Sequence, residues 1–226
     1  MQDILNQISQ LHHTFIAGSI GTGKDLLASF GVKALKQQQP SLTVYVIDLK
    51  ADCKENYYDN CADIVRRRNF TRMISETSLT DLFNWVKGCF LEFAQITGKK
   101  LLIITEATFL FHKFNQDKDY KSWLTDQVVT YLCIGHSAGA YLWLIGQNLN
   151  LESKEIGFSS LSIMKFVLIV SADNLANYDY ICRTLFIPKN RKLSIEKINA
   201  IAAESPVNRA VYSAGHWSPM PVLTHA

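Results

Sequence analysis

A three-layer α/β domain with a mainly parallel central sheet is the fold class this sequence predicts, on three observations. Short continuous apolar runs recur along the chain, in "HTFIA", "LTVYVID", "KLLIIT", "AYLWLIGQ" and "MKFVLIVS". Runs without polar alternation fit strands covered on both faces. Between several of them lie stretches with apolar residues at helical spacing, the alternation that builds parallel sheets. Polar residues stand just past the runs, at Gly18 to Asp25, Asp48, Glu106 and Gln147, and open parallel sheets carry ligands beyond the carboxyl ends of their strands.

Ile4, Leu5 and Ile8 sit at helical spacing, so residues 1–12 read as a short amphipathic lead-in. His13 to Ala17 is a buried strand ending at Gly18. Asp25 to Gln38 follows as a helix with Leu26, Leu27, Phe30 and Leu35 inward, stopped before Pro40. Leu42 to Asp48 is the next strand, and Ile64-Val65 fits a short strand or a turn of helix. Thr80 to Ile96 has a helical period at 82, 83, 86, 90 and 93. Lys100 to Thr105 is a strand, 115–122 a charged loop, and Trp123 to Ile134 fits either helix or strand. Ala140 to Gln147 and Met164 to Ser171 are strands, and helices are expected at 174–185 and 194–204. The closing segment, 206–226, has the short strand "RAVYS" and then proline-interrupted coil. No repeat or low-complexity tract divides the chain, so 1–226 reads as a single domain.

Composition narrows the classes. Apolar residues make up 48% and charged residues 19% of 226, ordinary for a globular protein. A net charge of +3 permits a nucleic-acid partner without requiring one. "MQDILNQISQLHH" lacks the apolar core of a secretory signal, and the most apolar later stretch, Tyr131 to Gly146, is too short and polar for a bilayer span. Five cysteines without paired C-x-x-C spacing imply reduced thiols rather than disulfides or zinc. The expected setting is the cytoplasm.

The stretch "AGSIGTGKD" carries the chemistry. A strand, a glycine-rich turn and a helix start aim backbone N–H groups at one point, where the helix dipole and the Lys24 ammonium add positive charge. Gly18, Gly21 and Gly23 let the backbone curl around a phosphate. Gly18, Ser19, Ile20, Gly21, Thr22, Gly23, Lys24 and Asp25 are therefore the expected phosphate cradle. An ordinary strand-to-helix turn with a solvated lysine is the plainer alternative.

Two letters depart from the usual pattern. A hydroxyl residue normally follows the lysine, and an Asp-Glu pair normally ends the strand that holds the catalytic carboxylate. Here Asp25 follows Lys24, and "LLIITEA" puts Thr105 before Glu106. The oxygen inventory for Mg²⁺ is unchanged with its positions exchanged, making Asp25 and Thr105 the expected metal ligands. Asp25 beside triphosphate is costly: two unit charges about 4 Å apart at an effective dielectric near 20 repel by roughly 4 kcal/mol. The alternative to exchanged ligands is a decayed ATPase that binds nucleotide poorly; a non-catalytic ring subunit or nucleotide-gated interaction protein that binds ATP without turnover is a further one.

With these motifs in place, the chain resembles the FtsK/HerA-type DNA-translocating ATPases. The matching stretches are "HHTFIAGSIGTGK", "VYVIDLK", "LLIITEA", "GHSAGAYLWLIGQN", "MKFVLIVSAD" and "NRAVYSAGHWSPMPVL", in the family's order across residues 12–223. The resemblance implies a RecA-like P-loop NTPase core that uses ATP and Mg²⁺ and assembles as a ring, commonly a hexamer, around duplex DNA. By carry-over Lys24 binds phosphate, Glu106 is the catalytic carboxylate and Gln147 senses the γ-phosphate. With no membrane anchor and no separate DNA-reading domain in sight, a bare motor or a fragment-like relative is expected.

Phosphate contacts to DNA fall to cationic side chains. Arg66, Arg67, Arg68 and Arg72, interleaved with Phe70, are the candidates, with a solvated basic turn as the alternative. One of them, or Arg183, is the candidate arginine finger, and the loops 113–121 and 150–162 are candidates to face a pore. A rival from another class comes from "GHSAG", Gly135 to Gly139, which matches the G-x-S-x-G nucleophile elbow. A serine hydrolase would use Ser137 with Asp173 or Asp179 and His216. It leaves the glycine loop and Glu106 without a purpose.

Overall fold

The computed structural model describes residues 2–52, 54–70, 78–147, 162–172, 184 and 186–223. In chain order the elements are α1 (Gln2–Ile8), β1 (Thr14–Gly18), α2 (Lys24–Gln38), β2 (Thr43–Asp48), β3 (Ile64–Arg67), α3 (Leu79–Gln95) and β4 (Lys100–Ile104). There follow α4 (Ala107–Phe114), α5 (Lys118–Ile134), β5 (Ala140–Gly146), β6 (Lys165–Ser171), α6 (Ile195–Ala203), β7 (Arg209–Ser213) and β8 (His216–Pro219).

The strands form one sheet in the order β3-β2-β4-β5-β1-β6-β7-β8. From β3 to β6 every pair is parallel; β7 and β8 are antiparallel additions at one edge. β1 is central, with Thr14 opposite Trp143 of β5 on one side and Lys165 of β6 on the other. Burial on both faces explains the unbroken apolar runs: β1, β4 and β5 are buried at every position.

Alternate residues serve opposite layers. Ile16, Val46, Ile103 and Trp143 pack with Ile4 of α1 and Leu27, Val32 and Leu35 of α2. Phe15, Ile47, Ile104 and Leu142 pack on the other face with Val86 and Phe90 of α3, Leu110 of α4, Leu124 and Val128 of α5 and Ile198 of α6. Leu26 and Phe30, expected inside, are only half-buried; Ala28 and Val32 take the inner face of α2.

Capping explains the helix boundaries. Ser78, Asp117 and Ser194 each accept a backbone N–H from the first turn of α3, α5 and α6. At the other end of α3 the buried Lys100 ammonium donates to the carbonyls of Phe93 (3.0 Å), Ala94 (3.0 Å) and Ile96 (2.7 Å). The Phe93 carbonyl also accepts the Ile96 N–H at 3.2 Å, and the ammonium supplements the sparse donors of this helix end. Residues 123–134 are helical, and α5 starts earlier than expected, inside the segment read as a charged loop. α4 and β8 were not expected as separate elements. The helix expected at 174–185 lies almost wholly outside the described residues. No helix among those described is long and apolar enough to cross a membrane.

Candidate functional site

The parallel strands deliver their carboxyl ends to one edge of the sheet, where a cavity of about 570 Å³ opens. Its floor is the loop between β1 and α2. Gly21 (φ 76°) and Gly23 (φ 84°) both take left-handed backbone, which glycine adopts without penalty. Gly18 is required for another reason. A Cβ there would stand 2.6 Å from Thr22 Oγ1 and 2.8 Å from the Ile169 carbonyl of β6.

The loop is internally braced. Thr22 Oγ1 donates to the Ser19 carbonyl at 2.8 Å, and Lys24 Nζ donates to the same oxygen at 2.9 Å. Arg209, at the start of β7, donates from Nη2 to the Gly21 carbonyl at 2.9 Å. Gly23 is the N-cap of α2 and has no side chain to cap it, so no side chain caps the first N–H groups of the helix, whose opening residues line the cavity. Ile20, at the tip, is 80% exposed.

Glu106 follows β4 as the N-cap of α4, in left-handed backbone at φ 51° and ψ 38°. Such a conformation costs a non-glycine residue on the order of 1 kcal/mol, and it concentrates at functional sites. Gln147 follows β5, the strand between β1 and β4, so sheet order sets its position between the loop and Glu106. Its backbone N–H donates to Thr108 Oγ1 at 2.9 Å. Gly146 admits that approach, because a Cβ there would lie 2.5 Å from the same hydroxyl. Lys24, Asp25, Glu106 and Gln147 thus line one cavity together with Lys50, Glu55, Phe109 and Arg209.

Electrostatics centre on Asp25. Its carboxylate accepts a hydrogen bond from Tyr58 at 3.2 Å. Burial raises its pKa to about 6, against the lowering effect of Lys24 and with a further push from Glu106. Burial also lowers the Lys24 ammonium, which Asp25 and Glu106 partly restore. Next to Asp25 is a chamber of about 10 Å³, room for one water, bordered by Asp48, Tyr58, Thr105 and Glu106.

The two expected metal ligands differ in availability. Thr105 is buried; its hydroxyl contacts the Ile47 carbonyl (3.3 Å) and the Leu49 N–H (3.4 Å) of the neighbouring chain segment. Asp25 faces the cavity. Among the described residues no three His, Cys, Asp or Glu side chains could hold a metal together. Mg²⁺ accompanying a nucleotide takes one or two carboxylates plus waters and phosphate oxygens, which a single carboxylate beside the cradle fits.

The arginines of the basic stretch are largely engaged. Arg66 pairs with Glu92, which Tyr45 also contacts, and Arg67 bridges Asp48 (3.0 Å) and Asp59 (2.5 Å). Arg68 is exposed and stacks over Phe70 at 5.3 Å. Arg72 and Arg183 lie outside the described residues, as does 150–161 of the second loop. Within 113–121, residues 113–114 end α4 and 118–121 begin α5.

The elbow reading meets an inverted context. A nucleophile elbow sits between a strand and a following helix. Ser137 instead lies in a 3-10 turn, Gly135–Ala138, that follows helix α5 and precedes strand β5. Because β5 and β1 are parallel, that turn is at the sheet edge opposite the glycine loop. Asp173 and Asp179 lie outside the described residues, and His216 is exposed at the start of β8.

Sequence reasoning missed Arg209, Tyr58 and the Lys50–Glu55 ion pair (2.5 Å). Arg209 alone had a signal: a cation opening the strand after the last parallel one. Tyr58 had none, since its segment reads as polar loop.

No protein-family model matches this sequence, and no curated protein matches it. Solved structures do. The DNA-packaging ATPase B204 of Sulfolobus turreted icosahedral virus is 13% identical over 93% of this chain and 98% of that one, with a TM-score of 0.53. The pCW3 conjugation coupling protein TcpA, solved with ATPγS, gives 15%, 93%, 60% and 0.54 in the same order. EccC of Thermomonospora curvata (ATPases 2 and 3), in complex with a signal-sequence peptide, gives 12%, 93%, 38% and 0.55. This chain therefore spans only part of TcpA and EccC but nearly all of B204. Strand order, loop and structural likeness lead to one conclusion: this chain has a RecA-like α/β fold with a P-loop-like turn after β1, the fold it shares with these ATPases.

Proposed function

We propose that this chain binds ATP with Mg²⁺, hydrolyses it, and acts as the motor core of a homo-oligomeric ring on duplex DNA in the cytoplasm. The observation that carries the proposal is the shared cavity, into which three separate strand ends bring Lys24, Glu106 and Gln147. Support for a DNA cargo comes from B204 and TcpA, a DNA-packaging ATPase and a conjugation coupling protein respectively.

Lys24 exchanges the Ser19 carbonyl for a phosphate oxygen, and the N–H groups at the start of α2 cradle the rest. Glu106 orients the attacking water and accepts its proton, and Gln147 reads the terminal phosphate. Asp25 would hold Mg²⁺ directly; Thr105, tied to neighbouring backbone, would reach it through a water. The ion supplies charge neutralisation at the phosphates. A bound cation also removes the repulsion that Asp25 otherwise presents to a triphosphate.

The test is ATP hydrolysis with Mg²⁺, with and without duplex DNA, in wild type, Lys24→Ala and Glu106→Gln. DNA-stimulated turnover that both substitutions abolish supports the motor reading. Hydrolysis that appears only after combining Asp25→Ser with Thr105→Asp would show instead that the natural site has lost turnover.

A further inference from the structure

The direction of β7 matters here. It runs antiparallel to β6, with Ser171 opposite Arg209, so its first residue returns to the edge where the parallel strands end. Arg209 is fixed in that place from several sides. Asn208 before it takes left-handed backbone at φ 52°, and the Met220 N–H donates to the Arg209 carbonyl at 2.9 Å. The turn leading to it is held by the buried Ser205 hydroxyl, which donates to the Met220 carbonyl at 2.7 Å and accepts the Val207 N–H at 3.2 Å.

From this mount the side chain reaches a loop 188 residues earlier. Nη2 donates to the Gly21 carbonyl, and Nη1 lies 3.1 Å from where a Cβ on Gly23 would be. The guanidinium therefore covers the two left-handed glycines of the cradle and lines the cavity with Lys24. Among the described residues it has no carboxylate partner, whereas Arg66 and Arg67 are both paired. A planar cation with several donors and one neutral acceptor has bonding capacity to spare for phosphate.

We propose that Arg209 is a nucleotide-binding residue supplied by the same chain as the loop: held beside the cradle by its bond to the Gly21 carbonyl, it donates to a phosphate oxygen of the bound nucleotide. This rests on the nucleotide reading above and adds a second cation to it. The role differs from that of an arginine finger, since β7 belongs to the same sheet as the loop and needs no neighbouring subunit.

The experiment titrates a fluorescent ATP analogue, and the matching AMP analogue, into wild type, Arg209→Ala, Arg209→Gln, Arg209→Lys and Lys24→Ala. Glutamine keeps a donor for the Gly21 carbonyl and removes the charge; lysine restores the charge. Alanine and glutamine should each weaken the triphosphate about tenfold to hundredfold, the range of a charge-assisted bond, and the monophosphate far less. Lysine should recover most of the loss, and thermal melting of the empty variants should confirm that each is folded. Wild-type affinity in Arg209→Ala, with affinity lost in Lys24→Ala, overturns this role while leaving the nucleotide site intact. Wild-type affinity in Arg209→Gln overturns the phosphate contact and leaves only a brace for the loop. No binding by wild type overturns both readings.

Discussion

Replacing Asp25 with asparagine should change how stability depends on pH, because the carboxylate is held where ionisation is unfavourable. Its pKa rises from 3.8 to about 6, chiefly by burial. The folded state therefore binds this proton more tightly than the unfolded chain. The sign follows: the contribution is fully present below about pH 4, is lost as pH rises towards 6, and is absent above. The rise from 3.8 to about 6 corresponds to about 3 kcal/mol, and the half-buried position reduces that to roughly 2 kcal/mol. Asparagine cannot ionise, so Asp25→Asn should gain stability over wild type across that window and hold the gain at higher pH. Urea unfolding in metal-free buffer, at steps from about pH 4 to 8, measures the difference, with all other titrations cancelling between the two proteins. Tyr58→Phe removes a hydrogen bond that favours the ionised form and should move the window upward. A constant difference between wild type and Asp25→Asn over the whole range would refute the reasoning, since a carboxylate in ordinary solvent would give just that.

Other expectations concern single contacts. Glu106→Gln should lower ATP turnover by about a hundredfold or more while nucleotide affinity stays within a few-fold, as measured by steady-state hydrolysis and analogue titration. Gly146→Ala places a methyl 2.5 Å from Thr108 Oγ1 and 3.2 Å from its backbone nitrogen, so about 1–3 kcal/mol of stability should be lost, and turnover with it as Gln147 shifts. Lys100→Met removes the ammonium that the Phe93, Ala94 and Ile96 carbonyls share, of which Phe93 alone keeps the Ile96 N–H, and should cost about 2–3 kcal/mol in urea unfolding. On the DNA side, Arg68→Ala should reduce the salt slope of duplex binding by about one, and Arg66→Ala, whose charge is already paired, by less.

What the sequence disclosed and what it hid divide along sequence distance. The β1–loop–α2 unit is contiguous, and its apolar run, glycines and lysine each state their own reason. β4 with Glu106 and β5 with Gln147 are legible the same way, since a buried strand and the polar residue after it are neighbours in the chain. α4 was hidden because "ATFLFHKF" begins directly after the carboxylate and has too few turns to display a period. β8 was hidden by Pro219, a residue that strands tolerate only at edges, where this one lies. The start of α5 had a visible cue in Asp117, whose side chain caps the helix, but the surrounding charges read as loop. Arg209 against Gly21 and Tyr58 against Asp25 are contacts across 188 and 33 residues. Nothing local encodes them; the sheet order does.

The central place of β1 has a consequence for how this chain is made. On a ribosome, the strand that carries the glycine loop emerges before either of its two neighbours, β5 and β6, which lie more than a hundred residues downstream. Until both have left the exit tunnel, β1 is an apolar segment with two open edges, and the loop after it has no wall against which to bend. Nascent chains halted near residue 130 should therefore stay protease-sensitive at the loop and fail to retain nucleotide, whereas chains extended past β6 acquire protection there in one step.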